Sequence, residues 1–242
     1  MIDVVVLDLD DTLLDHSGSA SRALQSWLPS LGASCTPELT AAWFDLEERY
    51  WAAWCAGRFG LDEQRRMRVA ELLAILDRPE TDDAALDALF AGYVAAYQAA
   101  WFAFPDALDC LATLARSGLP VAVLTNGAAA QQRAKLATIG ATRYVVGVFT
   151  AEDLQLAKPD PAAYLETCRR LGVEPARALH VGDRYDLDVI AARAAGLPAV
   201  HLDRRDRGPH DEPNRITTLR ELPALVDRLR LGTQSESRLR NA

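Results

Sequence analysis

A strand that runs straight into acid constrains this chain more than anything else in it. Met1-Ile2-Asp3-Val4-Val5-Val6-Leu7 is a short run rich in β-branched residues, and it breaks abruptly into Asp8-Leu9-Asp10-Asp11-Thr12. A run this apolar reads as a strand buried on both faces, as at the centre of a parallel sheet. The aspartates cannot continue it without burying charge, so they must sit where it ends. In open α/β sheets that carboxyl edge is where ligands bind. An acidic turn after a strand is also common without any site, so the stretch alone does not decide between the two.

At 242 residues the chain suits one large domain, or one domain carrying an insert. Half the residues are hydrophobic and a quarter charged, which is the composition of a globular protein. A net charge of −8 argues against nucleic acid as a principal partner. Cys35, Cys55, Cys110 and Cys168 are scattered, with no close pair and no histidine at ligand spacing. Reduced thiols in a cytoplasmic protein are therefore expected, not a disulfide or zinc framework. There is no basic leader and no apolar run long enough for a membrane span, so a soluble protein without membrane attachment is expected.

Beyond the aspartates, His16-Ser17-Gly18-Ser19 reads as a polar break whose serines cap a helix over Ala20–Leu31. Further helices are predicted over 36–57, 62–76 and 82–100, each with apolar residues at three-and-four spacing. No strand pattern occurs from 17 to 100, so a helical cap is expected over 17–101, with hinges at 13–18 and 100–105. From 102 the rhythm changes to alternating helices and strands. Strands are predicted over 119–124, 144–149, 178–181 and 199–202, separated by helices over 128–139, 161–171 and from Gly182-Asp183 through Ala195. Such βαβ units imply a doubly wound parallel sheet, a Rossmann-like core over 1–16 and 102–231. Residues 203–214 read as a loop, 218–231 as a terminal helix, and 232–242 as a disordered tail.

The strand ends carry the chemistry. Asp8 and Asp10 follow the first strand, Thr125-Asn126-Gly127 the second, and Asp183 with Asp188 a later one, while Lys158 opens an intervening helix. In a doubly wound sheet these ends share one edge. Two carboxylates about 4 Å apart repel by roughly 1 kcal/mol in water and by several times more when desolvated. Four together therefore need cations, Lys158 supplying one charge and a divalent ion the rest. Oxygen donors without nearby His or Cys favour Mg²⁺. The turn at Thr125-Asn126-Gly127 offers a hydroxyl and backbone N–H groups, and Lys158 an ammonium, to phosphate oxygens.

Taken together these motifs resemble the haloacid dehalogenase-like hydrolase superfamily, in its phosphatase branch with a helical C1-type cap. Asp8-Leu9-Asp10-Asp11-Thr12 matches the first family motif and Thr125 the second. Lys158-Pro159 matches the third, and Gly182-Asp183 with Asp188 the fourth. The resemblance implies a Mg²⁺-dependent phosphatase acting on a small phosphorylated metabolite. Asp8 would be the nucleophile and Asp10 the general acid and base. Thr125, Asn126 and Lys158 would bind the phosphate, and Asp8, Asp10 (through its carbonyl) and Asp183 the metal. Asp188 and Thr12 would act in support, Thr12 by bracing the loop. A phosphosugar mutase, or a 2-haloacid dehalogenase of the same superfamily, is the alternative. Asp10 argues against the dehalogenase, whose members lack an acid/base carboxylate two residues after the nucleophile. A catalytically silent binding protein is the non-enzyme alternative, and it normally goes with lost motif residues.

Other polar residues read more plainly. Asp11 and Asp186 occupy variable positions as solvated neighbours, and Glu152 and Asp153 read as exposed loop acids. His180 reads as a satisfied core histidine, and Arg65-Arg66-Met67-Arg68 as a solvated helix face. Trp43, Tyr50, Trp51 and Trp54 are expected to pack between helices, with a lesser possibility that some of them, with Arg49, Arg58 or Arg65, select substrate.

Overall fold

The computed structural model describes residues 1–240, and side chains over 1–231. The tail expected over 232–242 thus lies outside the residues whose side chains are described. The chain divides into two compact units, Met1–Asp15 with Phe102–Ala242, and His16–Trp101.

The first unit opens with β1 (Val4–Leu7), buried at every position. The second unit is helical: α1 (His16–Trp27), α2 (Pro37–Cys55), α3 (Leu61–Ile75) and α4 (Asp83–Ala99). Helix α1 starts four residues before the predicted point. The serines do not cap it but lie inside it, and Ser21 bonds back to the Ser17 carbonyl at 2.8 Å. Thr36 and Asp82 cap α2 and α4, and the Asp82 carboxylate accepts from the Ala85 N–H at 2.8 Å.

Apolar faces of these helices meet around Trp27, Trp43, Phe90 and Tyr93. The Trp43 and Tyr93 rings stand 4.5 Å apart. One expectation fails here. Arg68 is not solvated but buried, its guanidinium 4.4 Å from the Trp43 ring and 3.1 Å from Glu47. A guanidinium can stack on aromatic faces, which a charge pattern alone does not reveal. Arg49 and Arg58 line a cavity of about 300 Å³ within this unit, where Arg49 is paired with Glu71.

In the first unit α5 (Ala107–Arg116), β2 (Val121–Thr125), α6 (Ala129–Thr138) and β3 (Val145–Thr150) follow in turn. Then come α7 (Ala151–Leu154), α8 (Pro161–Leu171), β4 (Ala178–Gly182), α9 (Ala191–Ala194), β5 (Ala199–Leu202), β6 (Arg215–Ile216) and α10 (Leu222–Arg240). All six strands are parallel, in the order β3-β2-β1-β4-β5-β6. The two-residue β6 falls just past the predicted loop, too short to leave an alternating pattern. The single helix expected after Gly182 is instead a π-helical turn over Tyr185–Ile190 leading into α9. Such wide turns gather at functional sites.

Strand β1 lies between β2 and β4, and the strand order reverses there: β2 and β3 lie on one side, β4 to β6 on the other. Leu7 is in register with Val123 and with Val181, so Asp8 leaves the sheet at the crevice between β1 and β4. That is where doubly wound sheets hold their ligands.

Candidate active site

The bonds of Asp8 begin in the backbone, where its N–H donates to the Val181 carbonyl at 2.9 Å and holds it against β4. Lys158, on the loop before α8, donates from Nζ to Asp8 Oδ1 at 2.7 Å and to Asp188 Oδ1 at 2.6 Å. All three side chains are at least nine-tenths buried. Asp188 sits in the π-helical turn, where its Oδ2 accepts from the Arg184 N–H at 3.0 Å. A Cβ on Gly182 would overlap the Asp188 carboxyl, so the glycine before Asp183 is required by close approach.

Asp188 has a further partner in His180. That histidine is fully buried on β4, its Nε2 3.0 Å from Asp188 Oδ1, and its ring meets Tyr164 edge-on. It is a core histidine as expected, but its polar edge serves the site.

Carboxylate oxygens of Asp8, Asp183 and Asp188 lie within 4.8 Å of one another. Burial pushes the Asp8 carboxyl up to about 7 even though Lys158 pulls the other way, and Asp188 and Asp10 add repulsion. Burial also raises Asp183 well above the usual carboxylate range, with the charges of Asp8 and Asp188 adding to it. Asp188 differs. Burial opposes its charge too, but Lys158 and His180 hold it well below that range. Two of the three acids are thus short of positive charge, which is the state a divalent cation relieves. The donor set is all oxygen and partly buried, so these residues fit a hard divalent ion.

Asp10 stands apart from that cluster. Its Oδ1 and Oδ2 accept from Lys135 Nζ at 2.7 and 2.8 Å, and Oδ2 accepts from Gln132 Nε2 at 2.9 Å. Gln132 also donates to Thr125 Oγ1 at 2.6 Å. Neither Lys135 nor Gln132 was anticipated. The available signal was two long polar residues spaced i, i+3 among the apolar positions of α6, which places both on its buried face. With them the charges balance: four carboxylates against two ammoniums leave two negative charges, which one divalent cation would neutralise.

Two supporting roles gain detail in the structure. Asn126 was expected on phosphate, in a turn whose backbone N–H groups are the donors; its side-chain amide is taken by the Lys158 backbone. Nδ2 donates to the Lys158 carbonyl at 2.6 Å, and Oδ1 accepts from its N–H at 2.7 Å. Asn126 therefore places the lysine loop beside the end of β2. Thr12 was expected to brace its loop by hydrogen bonds; its Oγ1 is buried without a hydrogen-bond partner among the described residues. The brace is its carbonyl, which accepts from Arg204 Nη2 at 2.8 Å, while Arg204 also pairs with Asp106. Glu152 is exposed as expected, and it accepts from the first N–H of α6, that of Ala129, at 2.7 Å.

Geometry of this kind defines an α/β enzyme with buried carboxylates gathered around lysine at the carboxyl edge of a parallel sheet. The model of the haloacid dehalogenase-like hydrolases matches residues 2–196, and the chain belongs to that family. It is 30% identical over 243 residues to the glyceraldehyde 3-phosphate phosphatase of Methanopyrus kandleri, covering 95% of this chain and 99% of that protein. The HAD-hydrolase YfnB of Bacillus subtilis, solved bound to magnesium, has a similar fold, with a TM-score of 0.78 at 22% identity over 93% of this chain and 98% of that one. The L-2-haloacid dehalogenase of Xanthobacter autotrophicus superposes with a TM-score of 0.73 at 26% identity, over 94% and 99% of the two chains.

Proposed function

We propose that this protein is a Mg²⁺-dependent phosphatase that hydrolyses a small phosphomonoester through an aspartyl-phosphate on Asp8. One observation carries the reading: Asp8 is buried at the switch point of the sheet with Lys158 on one of its oxygens, and an acid, Asp10, follows two residues on. The second acid separates this reading from the dehalogenase, which has no leaving oxygen to protonate.

In this reading the free oxygen of Asp8 attacks phosphorus and the ester bond to the alcohol breaks. Asp10 gives its proton to the departing oxygen and later takes one from the attacking water. Lys158 holds Asp8 in place and offers charge to the phosphoryl oxygens. The Thr125 hydroxyl and the backbone N–H groups of the Asn126-Gly127 turn complete the anion pocket. Asp8 and Asp183, with the Asp10 carbonyl, would hold Mg²⁺, and Asp188 would keep Lys158 oriented. The metal would supply positive charge where charge builds on the transferring phosphoryl group.

The names of curated relatives, glyceraldehyde 3-phosphate phosphatase and phosphoglycolate phosphatase, point to small anionic esters as first substrates. No helix among the described residues is long and apolar enough to cross a membrane, and the four cysteines are free thiols, both compatible with a cytoplasmic enzyme. The test is a panel of such esters with Mg²⁺, following inorganic phosphate and isomerised product together. Phosphate release on at least one ester is expected. Isomerised product without phosphate release would turn the reading to a mutase, and neither to a binding protein.

Metal binding makes a second expectation. Asp8 titrates near pH 7 without the ion and must be ionised to hold it. Mg²⁺ binding at pH 7 is therefore expected to release roughly half a proton or more, and affinity to fall as pH drops below 7. Calorimetry in two buffers of different ionisation heat reads this directly. Identical enthalpies in both would mean that the ion does not use these acids.

A further inference from the structure

Lys135 is the feature that the reading above leaves unused. Its side chain is only 4% exposed, whereas that of Asp10 is 31% exposed, so the ammonium is sealed behind the acid that faces outward. Burying an ammonium is costly unless it is paired and hydrogen-bonded, and here it reaches a carboxylate 125 residues away with bonds to both oxygens. Gln132, one turn earlier on α6, adds a third bond to that carboxylate and ties it to Thr125 at the end of β2. The turn is built around this amide, since a Cβ on Gly127 would overlap the Gln132 side chain. Three charged or polar bonds to one side chain fix its position more tightly than any single bond does.

We propose that Lys135, with Gln132, is a positioning residue that holds the Asp10 carboxylate for the water-attack half of the reaction. The proposal rests on the proton-exchange role given to Asp10 above. Once Asp10 has passed its proton to the leaving alcohol it is a carboxylate, the form that Lys135 grips through both oxygens. In the second half, the water oxygen bonds to phosphorus, the bond from phosphorus to the Asp8 oxygen breaks, and the water proton moves to Asp10. Asp8 is regenerated as a carboxylate and inorganic phosphate departs. A base free to rotate would seldom meet that water in line.

The experiment is rapid-mixing kinetics on the Mg²⁺-loaded enzyme with para-nitrophenyl phosphate, whose leaving group needs little protonation. Lys135→Met is expected to keep a first-turnover burst of nitrophenolate near one per site. Its steady-state rate should then fall about 10- to 100-fold, with phosphorylated enzyme accumulating. Lys135→Arg should recover part of the steady rate, and Asp10→Asn should show the same burst with a deeper loss. Adding Lys135→Met to Asp10→Asn should cost nothing more, because the two act as one unit. Gln132→Met, which removes the neutral bond to Asp10 together with the one to Thr125, carries the same test should Lys135→Met not fold. Equal loss of burst and steady rate in the Lys135 and Gln132 variants, or wild-type kinetics in both, overturns the proposal. If Asp10→Asn itself shows no slowed second phase, the acid–base reading of Asp10 is what fails.

Discussion

Asp8→Asn is expected to lower turnover by on the order of 10⁵-fold or more, the scale on which covalent enzymes lose rate when the nucleophile is removed. An amide oxygen is a poor nucleophile toward phosphorus, and no other acid is placed to substitute. Asp188 is held by Lys158, His180 and the Arg184 N–H, and Asp10 is held by Lys135 and Gln132. The fold should survive. Asn is nearly isosteric with Asp, Lys158 keeps its ion pair with Asp188, and a carboxylate that burial already disfavours is gone. Folding stability is therefore expected within about 1 kcal/mol of the parent, because the lost pair is offset by the relieved desolvation. Phosphate release and a urea unfolding curve, measured side by side, check both halves. Residual turnover within tenfold of the parent would remove Asp8 from the chemistry.

Much of this could be read before any coordinates, because the informative features are local. A buried strand must shed its aspartates at one end, and the helical rhythm of residues 16–101 needs only short-range spacing. The order of strand ends placed Asp8, Lys158, Asp183 and Asp188 at one edge. What was not legible depends on contacts between distant residues. Lys135 looks like one more helix lysine until Asp10, 125 residues earlier, is set beside it. The Asn126 amide could serve phosphate or backbone, and only the Lys158 loop, 32 residues on, decides. The same holds for Arg204, which braces Thr12 from a segment that reads as a plain loop. The π-helical turn was missed because one extra residue per turn does not disturb apolar spacing enough to show. Yet that widening is what carries Asp188 back onto the Arg184 N–H and over Gly182.

Lys158→Met should lose turnover as Asp8→Asn does but, unlike Asp8→Asn, should also lose stability. The lysine is the shared partner of two buried carboxylates, and although burial works against its charge, Asp188 and Asp8 raise it far into the charged range. Methionine fills nearly the same volume but leaves both acids facing each other. Breaking a buried pair from one side costs about 3–5 kcal/mol, since the orphaned charge stays where water cannot reach it. A urea midpoint lowered by that amount is expected, together with turnover near background. A second substitution separates the two effects. Lys158→Met with Asp188→Asn removes one of the orphaned charges, so a good part of the lost stability should return. Turnover should not, because nothing then steadies Asp8 or meets the phosphoryl oxygens. Mg²⁺ should stabilise Lys158→Met more than it stabilises the parent, since in the variant the ion takes over the charge that Lys158 set against Asp8. If the single substitution leaves the unfolding midpoint unmoved, Lys158 is not a buried ion-pair partner in solution, and the electrostatic balance drawn around Asp8 is wrong at its centre.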